Sequence, residues 1–179
     1  MKKIVMLLAA VLFTAGIASA QKTADQDGNY VKVGEQVPEF NVNLLCGKTL
    51  NINNLKGKVV LVNFWATWCP YCVQELTRFP EEIVKKFAGK DFAVVCIDRM
   101  DGKRETQEKV EEFMKAKGYK FPVGLDEGGK VFGMFATSGI PRNYVIGKDG
   151  KIAYIGVGYD EAEFTKLQGA IETALGAKK

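Results

Sequence analysis

Two uninterrupted apolar runs dominate the hydrophobic pattern of the chain. Residues 59–65 read VVLVNFW and residues 92–98 read FAVVCID, and both are rich in β-branched and aromatic side chains. Runs of this length and composition are typical of strands that are buried on both faces of a sheet. Because the segment between them carries a helical pattern, the two runs predict a βαβ unit.

Shorter apolar runs predict the remaining strands, at residues 40–45, 48–52, 121–125, 142–146 and 151–157. The first two alternate around Cys46 and Gly47, which indicates a small hairpin near the N-terminus. The last two flank Asp149 and Gly150, and this dipeptide between apolar runs strongly favours a second hairpin.

Helical periodicity fills the intervals between the strands. An apolar stripe follows the first buried run and includes Leu76, Phe79, Ile83, Val84 and Phe87. Pro80 interrupts this stripe without changing its phase, so we expect a kink there rather than the end of the helix. Further helices are predicted over residues 101–117 and 130–136, and a final helix is predicted to be capped by Asp160.

The first twenty residues have the pattern of a cleavable signal peptide. Lys2 and Lys3 are followed by a largely apolar run over residues 4–17 and by the small residues ASA at 18–20. The alternative is an uncleaved leader that anchors the protein in a membrane, although this run is short for the roughly 20 residues of a span. We therefore predict a periplasmic or otherwise extracytoplasmic location.

The rest of the chain is predicted to form one domain. Residues 21–30 are polar and are expected to be a flexible mature N-terminus, whereas residues 31–179 have the size of a single domain. The formal net charge of the whole chain is only +4 and is evenly spread, which argues against nucleic-acid binding.

The chain has no histidine and four cysteines. The lack of histidine excludes Ser-His-Asp and Cys-His nucleophiles as well as histidine-ligated zinc or haem. An all-cysteine zinc site would need every cysteine, yet there is one CxxC pair where two are usual. We therefore predict that the protein holds no metal.

The segment Cys69-Pro70-Tyr71-Cys72 follows the first buried run directly and opens a helix. A thiolate at a helix N-terminus lies near the positive end of the macrodipole and near unpaired N–H groups, which lowers the thiol pKa. Pro70 suits the first helical position, and Cys72 returns to the same face one turn later, within reach of Cys69. These features indicate a redox-active dithiol.

The run GKVVLVNFWATWCPYC, from Gly57 to Cys72, resembles the thioredoxin superfamily and in particular its TlpA/ResA-like extracytoplasmic thiol:disulfide oxidoreductases. The resemblance covers nearly all of the chain after the leader. It implies an α/β thioredoxin fold, in which a central mixed β-sheet is flanked by helices, with an N-terminal β-hairpin extension and a central βα insertion. It also implies that the Cys69–Cys72 disulfide is the redox group and that no other cofactor is bound.

The resemblance assigns roles to residues near the dithiol. Cys69 is expected to be the more exposed cysteine and to attack the substrate, while Cys72 resolves the mixed disulfide. Glu75 is similar in position to the acidic residue that follows the second cysteine in these reductases, and its role would be proton exchange with Cys72. The alternative is an ordinary solvated glutamate. Asn63 replaces the buried aspartate of cytoplasmic thioredoxin, which moves acid–base work toward Glu75.

A substrate-binding surface is implied on both sides of the dithiol. Pro141 matches the cis-proline loop of the family, where the backbone of Ile140 would pair with an extended substrate segment. Trp68, Pro70 and Tyr71 flank the cysteines and complete this surface.

Three further residues are less well defined by the sequence. Arg142 departs from the small residue or threonine that often follows the cis-proline, which leaves substrate choice open and suggests an acidic partner. Cys96 lies inside a buried strand, where a free cysteine behaves as a small apolar residue, and Cys46 lies at a turn. An exported protein could pair these two cysteines, but we favour two unpaired thiols.

The sequence therefore predicts a periplasmic thiol:disulfide oxidoreductase that reduces exported proteins, with cytochrome c maturation as a setting that the resemblance suggests. The motif does not fix the direction of electron flow, so a disulfide oxidase or isomerase of the same fold is the alternative. A peroxiredoxin-like thiol peroxidase is disfavoured, because Ala66 and Val62 stand where that family needs Thr or Ser and Pro. A non-catalytic binding module is disfavoured by the intact motif.

The expected partners follow from this function. They are exported proteins with disulfides or thiols, and a membrane thiol reductase that donates electrons. Because the last helix is not apolar all round, we expect a monomer.

Overall fold

The computed structural model describes residues 22–176, so the predicted signal peptide lies outside the described residues. The strands are β1 (Asn41–Leu44), β2 (Thr49–Asn51), β3 (Val59–Trp65), β4 (Phe92–Asp98), β5 (Val123–Leu125), β6 (Arg142–Ile146) and β7 (Ile152–Val157). The α-helices are α1 (Pro70–Phe79), α2 (Gln107–Lys117), α3 (Phe132–Phe135) and α4 (Glu161–Gly176), and short 3-10 helices span Ile52–Leu55 and Glu127–Gly129.

These strands form one mixed sheet in the order β2-β1-β5-β4-β3-β6-β7. Strands β3, β4 and β5 run parallel, whereas β6 is antiparallel to β3 and β7 is antiparallel to β6. The N-terminal hairpin β1–β2 adds to the edge of β5, so the extension and the central insertion lie side by side. This topology confirms the predicted thioredoxin fold.

The sheet separates two apolar layers. One face is covered by α1, α2 and α4, which bury residues such as Leu76, Val110 and Leu167. The other face is covered by α3 and by the chain that precedes β1, including Phe135 and Val31. All seven residues of β3 are buried because both layers pack on this central strand, so its C-terminal end is a rigid platform for the segment that follows.

The helix continues past Pro80, as predicted, and it does so through a wider helical turn. Helix α1 runs straight into a π-helix over Pro80–Lys85, in which the N–H of Lys86 donates to the carbonyl of Glu81 at 3.2 Å. Proline lacks the N–H that an α-helix needs at this point, and the extra residue in the turn accommodates the loss. Beyond Pro80 the stripe therefore still reaches the core through Ile83.

Helix α2 begins six residues later than the sequence predicts. Asp101 accepts hydrogen bonds from the backbone N–H groups of Lys103, Arg104 and Glu105, which fixes a turn in place of the first helical residues. Thr106 then caps the helix by accepting from the N–H of Lys109. The short helix predicted over residues 130–136 is likewise trimmed to α3.

The segment expected to be a flexible terminus is packed in its second half. Asn29 is buried, and it forms a β-bridge with Ala136. The N–H of Tyr30 donates to the carbonyl of Phe135 at 2.7 Å. The expectation rested on polar composition, but here a buried asparagine side chain finds partners inside the protein.

The remaining cysteines are free thiols, Cys46 exposed at the β1–β2 turn and Cys96 buried in β4. Their separate positions agree with the preference for two unpaired thiols. Over residues 22–176, no helix has the length and apolar character needed to cross a membrane.

Candidate active site

The dithiol lies at the end of β3 where α1 begins. Cys69 and Cys72 form a disulfide with a Cα–Cα distance of 5.2 Å. Cys69 occupies the N-cap of α1, Pro70 is the first helical residue, and the Cys69 sulfur accepts from the backbone N–H of Cys72 at 3.2 Å. The helix therefore presents N–H groups to the Cys69 sulfur, which stabilises a thiolate there.

The two cysteines of the disulfide differ slightly in exposure. Cys69 is 5% exposed and Cys72 is fully buried, so Cys69 is the more exposed cysteine, as expected. Their roles as attacking and resolving cysteine stay predictions. Trp68 is 39% exposed and Tyr71 is 61% exposed, so both aromatic rings stand at the surface beside the disulfide. The guanidinium of Arg104 lies 4.1 Å from the centre of the Trp68 ring and restrains it.

The loop before β6 closes the site on the other side. The Ile140–Pro141 peptide bond is cis, as the resemblance implied. The carbonyl oxygen of Ile140 lies 3.7 Å from the Cys69 sulfur, so this backbone edge borders the reactive atom. Pairing of Ile140 with a substrate segment stays a prediction.

Glu75 lies in α1 three residues after Cys72 and is buried, not on a solvated helix face. Its two carboxylate oxygens accept from the Nδ2 atoms of Asn143, at 2.6 Å, and Asn63, at 2.9 Å. Burial raises the pKa of Glu75 to about 7, and the two amide donors lower it less than burial raises it. A carboxyl of this pKa, one helical turn from Cys72, is suited to take and return protons near neutral pH.

An asparagine pair holds Glu75 in place. Asn63 on β3 and Asn143 on β6 are directly opposite each other in the sheet, and Asn63 Nδ2 also donates to Asn143 Oδ1 at 2.9 Å. Asn63 Oδ1 has no hydrogen-bond partner within residues 22–176. Asn143 was not among the site residues expected from the sequence, although an asparagine within an otherwise apolar strand is a detectable signal of a buried polar contact.

A second buried carboxyl group lies behind the active-site loop. Asp98 ends β4 opposite Trp65, the last residue of β3, and neither of its carboxylate oxygens has a hydrogen-bond partner in the described part of the chain. Glu105 is also buried and accepts from the N–H and hydroxyl of Thr67, two residues before Cys69. Burial first, and then the charges of Glu105, Asp101 and Asp126, raise the pKa of Asp98 to about 8.

Replacement of Asp98 by asparagine should therefore stabilise the protein at pH 8 by about 1–3 kcal/mol. The raised pKa means that the folded chain keeps a proton that the unfolded chain releases near the ordinary value of 3.8. The contribution of this retained proton to the free energy of unfolding is fully present below pH 3.8 and is lost as the pH rises toward about 8. Urea unfolding of both proteins should show a large difference at pH 8 and almost none at pH 4. Equal destabilisation of the variant at both pH values would contradict this account.

Arg142 does not face the substrate surface. Its side chain is buried and donates hydrogen bonds to Asn29 and to backbone carbonyl groups, so the suggestion that it attracts an acidic partner is wrong. The guanidinium is directed toward the N-terminal segment, because that segment supplies the buried acceptors it needs. Over residues 22–176 no cluster of three or more histidine, cysteine or acidic side chains is arranged to hold a metal ion.

Comparison with known proteins places this geometry among thioredoxin-like proteins. A family model described as Redoxin matches residues 32–171. The thiol-disulfide oxidoreductase ResA of Bacillus cereus is 33% identical, and the match covers 82% of this chain and 80% of ResA. The solution structure of a putative protein disulfide isomerase from Bacteroides thetaiotaomicron has a TM-score of 0.77 at 37% identity, covering 84% of this chain and 94% of that one. A putative thiol:disulfide interchange protein DsbE from Chlorobium tepidum has a TM-score of 0.71 at 26% identity, covering 82% and 99% respectively.

Proposed function

The chain belongs to the Redoxin family as a thiol:disulfide oxidoreductase of thioredoxin fold, and we propose that it reduces disulfides of exported proteins outside the cytoplasm. The burial of Glu75 beside Cys72 carries this proposal. A reductant must deprotonate its second cysteine in every turnover, and Glu75 is a buried proton acceptor whose pKa of about 7 suits that step.

The reaction begins with the reduced dithiol. The Cys69 thiolate attacks one sulfur of the substrate disulfide, which forms a mixed disulfide and releases the other substrate sulfur as a thiolate that takes up a proton. Glu75 accepts the proton of the Cys72 thiol, and the Cys72 thiolate then attacks the Cys69 sulfur. This step releases the second substrate thiolate, which is protonated, and forms the Cys69–Cys72 disulfide that the structure contains.

Each turnover transfers two electrons from the protein to its substrate, so a donor must reduce the Cys69–Cys72 disulfide again. A membrane thiol reductase is the donor class that fits an extracytoplasmic location. The location itself is supported by the leader at residues 1–20, with its basic start, apolar run and small-residue ending. Determination of the N-terminal residue of the exported protein tests both the export and its cleavage before Gln21.

Disulfide isomerisation is the second candidate. It is favoured by the likeness to the Bacteroides protein, a putative protein disulfide isomerase. An isomerase, like a reductant, must keep its attacking cysteine reduced, whereas an oxidase rests as a disulfide, so the resting state separates both from an oxidase.

Acid quenching of living cells, followed by alkylation and mass measurement, tests the direction of electron flow. We expect the Cys69–Cys72 pair to be mostly alkylated in cells with the reductase system intact and mostly disulfide-bonded without it. A pair that is fully oxidised in both cases would contradict the reductant function and favour oxidation.

Cytochrome c maturation is the physiological setting that we propose, following the resemblance to TlpA/ResA-like proteins. Its substrate would be an oxidised C-x-x-C-H segment, the haem attachment motif of c-type cytochromes. Reduction of a peptide with this disulfide should be faster than reduction of a control peptide with a longer spacing between its cysteines. Equal rates would contradict this setting without affecting the exchange reaction.

A further inference from the structure

Arg142 is a buried arginine that directly follows the cis-proline, Pro141, in the sequence. Its guanidinium has four hydrogen-bond acceptors, all of them neutral oxygen atoms: Asn29 Oδ1 and the backbone carbonyls of Asp27 at 2.7 Å, Ser138 at 2.6 Å and Gly139 at 3.2 Å. A buried guanidinium is retained only where nearly all of its donors are used. The four oxygen atoms therefore form a specific binding site for the Arg142 side chain.

The four acceptors belong to two segments that are far apart in sequence. The carbonyls of Ser138 and Gly139 lie in the loop that leads into the cis-proline, and the other two oxygens lie in the segment of residues 25–30. We call this segment the N-terminal strap. Arg142 thus joins the strap to the loop. Its hydrogen bond to Asn29 connects two residues that are 113 positions apart in the sequence.

Further hydrogen bonds attach the N-terminal strap to residues near Arg142. The N–H of Thr137 donates to the Gly28 carbonyl at 2.8 Å, and the hydroxyl of Tyr144 donates to Asn29 Oδ1 at 3.0 Å. Gly28 has a φ of +78°, and a Cβ atom there would lie 2.6 Å from the Thr137 hydroxyl oxygen. The close approach of the strap therefore requires glycine at this position.

The loop that Arg142 holds also borders the reactive sulfur. Ile140 lies between Gly139, whose carbonyl Arg142 binds, and the cis-proline, and the Ile140 carbonyl is 3.7 Å from the Cys69 sulfur. A displacement of this backbone edge would change how a substrate segment lies against Cys69. The dithiol itself is held independently, by α1 and by the end of β3.

We propose that Arg142 is a positioning residue, which uses the N-terminal strap to fix the cis-proline loop for binding of an extended protein substrate. The inference rests on the proposed function, because it assumes that proteins are the substrates. Arginine is required because its planar fork supplies five donors in fixed directions, whereas the ammonium group of lysine cannot reach both segments at once.

The test compares two disulfide substrates with the full mature protein. Insulin presents an extended chain to the loop, and hydroxyethyl disulfide is too small to pair with it. For Arg142→Lys we expect the KM for insulin to rise about tenfold, with kcat and the rate with hydroxyethyl disulfide nearly unchanged. Asn29→Ala should raise the same KM by a smaller factor, and the double variant should show less than the product of the two effects.

Arg78→Lys is the matched control, because Arg78 also makes several side-chain hydrogen bonds, but its acceptors are Glu82 and Glu161 and none of them belongs to the loop. It should leave both substrates unaffected. If Arg142→Lys does not fold, Asn29→Ala alone tests the inference through the insulin KM. A lower melting temperature with unchanged KM for insulin would overturn it and leave a purely structural role. Absence of insulin reduction by the wild-type protein would instead contradict the proposed function.

Discussion

Replacement of Cys69 by serine is expected to abolish thiol:disulfide exchange, with a loss of at least about a thousandfold in the rate of insulin reduction. A serine hydroxyl stays protonated near neutral pH and cannot form the mixed disulfide, so no step of the reaction can begin. Since Cys69 is an N-cap residue whose role serine fills well, the variant should keep the fold. Insulin turbidity and the circular dichroism spectrum of the variant measure the two properties separately.

Two other cysteine variants test whether the loss of activity is specific to Cys69 as the attacking residue. Cys46→Ser changes an exposed thiol at a turn remote from the dithiol and should leave the rate unchanged. Cys72→Ser should still attack substrate but accumulate the mixed disulfide on Cys69, which intact-mass measurement detects. Full activity of Cys69→Ser, or loss of activity in Cys46→Ser, would contradict the assignment of the dithiol.

Replacement of Glu75 by glutamine is expected to lower single-turnover reduction at pH 8 by about a hundredfold. Because burial raises the pKa of Glu75 to about 7, the wild-type carboxyl is protonated below that pH and cannot take the proton of Cys72. The wild-type rate of mixed-disulfide resolution should therefore rise with pH through about 7, and the variant should lack this inflection. Stopped-flow measurement between pH 5.5 and 9 follows both.

The matched control is Glu81→Gln, which makes the same change in an exposed glutamate of the following helical turn. Its profile should coincide with that of the wild type. An unchanged inflection in Glu75→Gln would show that another group accepts the proton, and the mechanism proposed for the resolving step would then be wrong.

The sequence was sufficient for the fold and for the dithiol because both depend on local pattern. The apolar runs of β3 and β4 and the CxxC at the start of α1 are contiguous features, and each has a direct physical interpretation. For Glu75 the structure removes the alternative of a solvated glutamate, because the side chain is buried, and the helical spacing from Cys72 places the two residues on one face. Proton exchange with Cys72 stays a prediction.

The relations that the sequence did not reveal are those between distant segments. Asn143 faces Asn63 only because β6 lies beside β3, and the strap reaches Arg142 only because α3 ends beside it. For Arg142 the composition was misleading: a charged residue beside the active site suggests a charged partner, yet its acceptors are buried carbonyls. The late start of α2 has a similar cause, because a side-chain acceptor at Asp101 competes with helical hydrogen bonding.

The reduction potential of the Cys69–Cys72 pair tests the central claim most directly. The protein is equilibrated in thiol buffers of defined potential, free thiols are trapped by alkylation, and the two forms are counted by intact mass. A single two-electron couple at about −250 mV or below is the predicted result, since a reductant of exported proteins must hold a disulfide that is hard to reduce. A couple at about −120 to −180 mV would contradict the reductant function. The lack of any reversible couple would contradict the oxidoreductase account altogether.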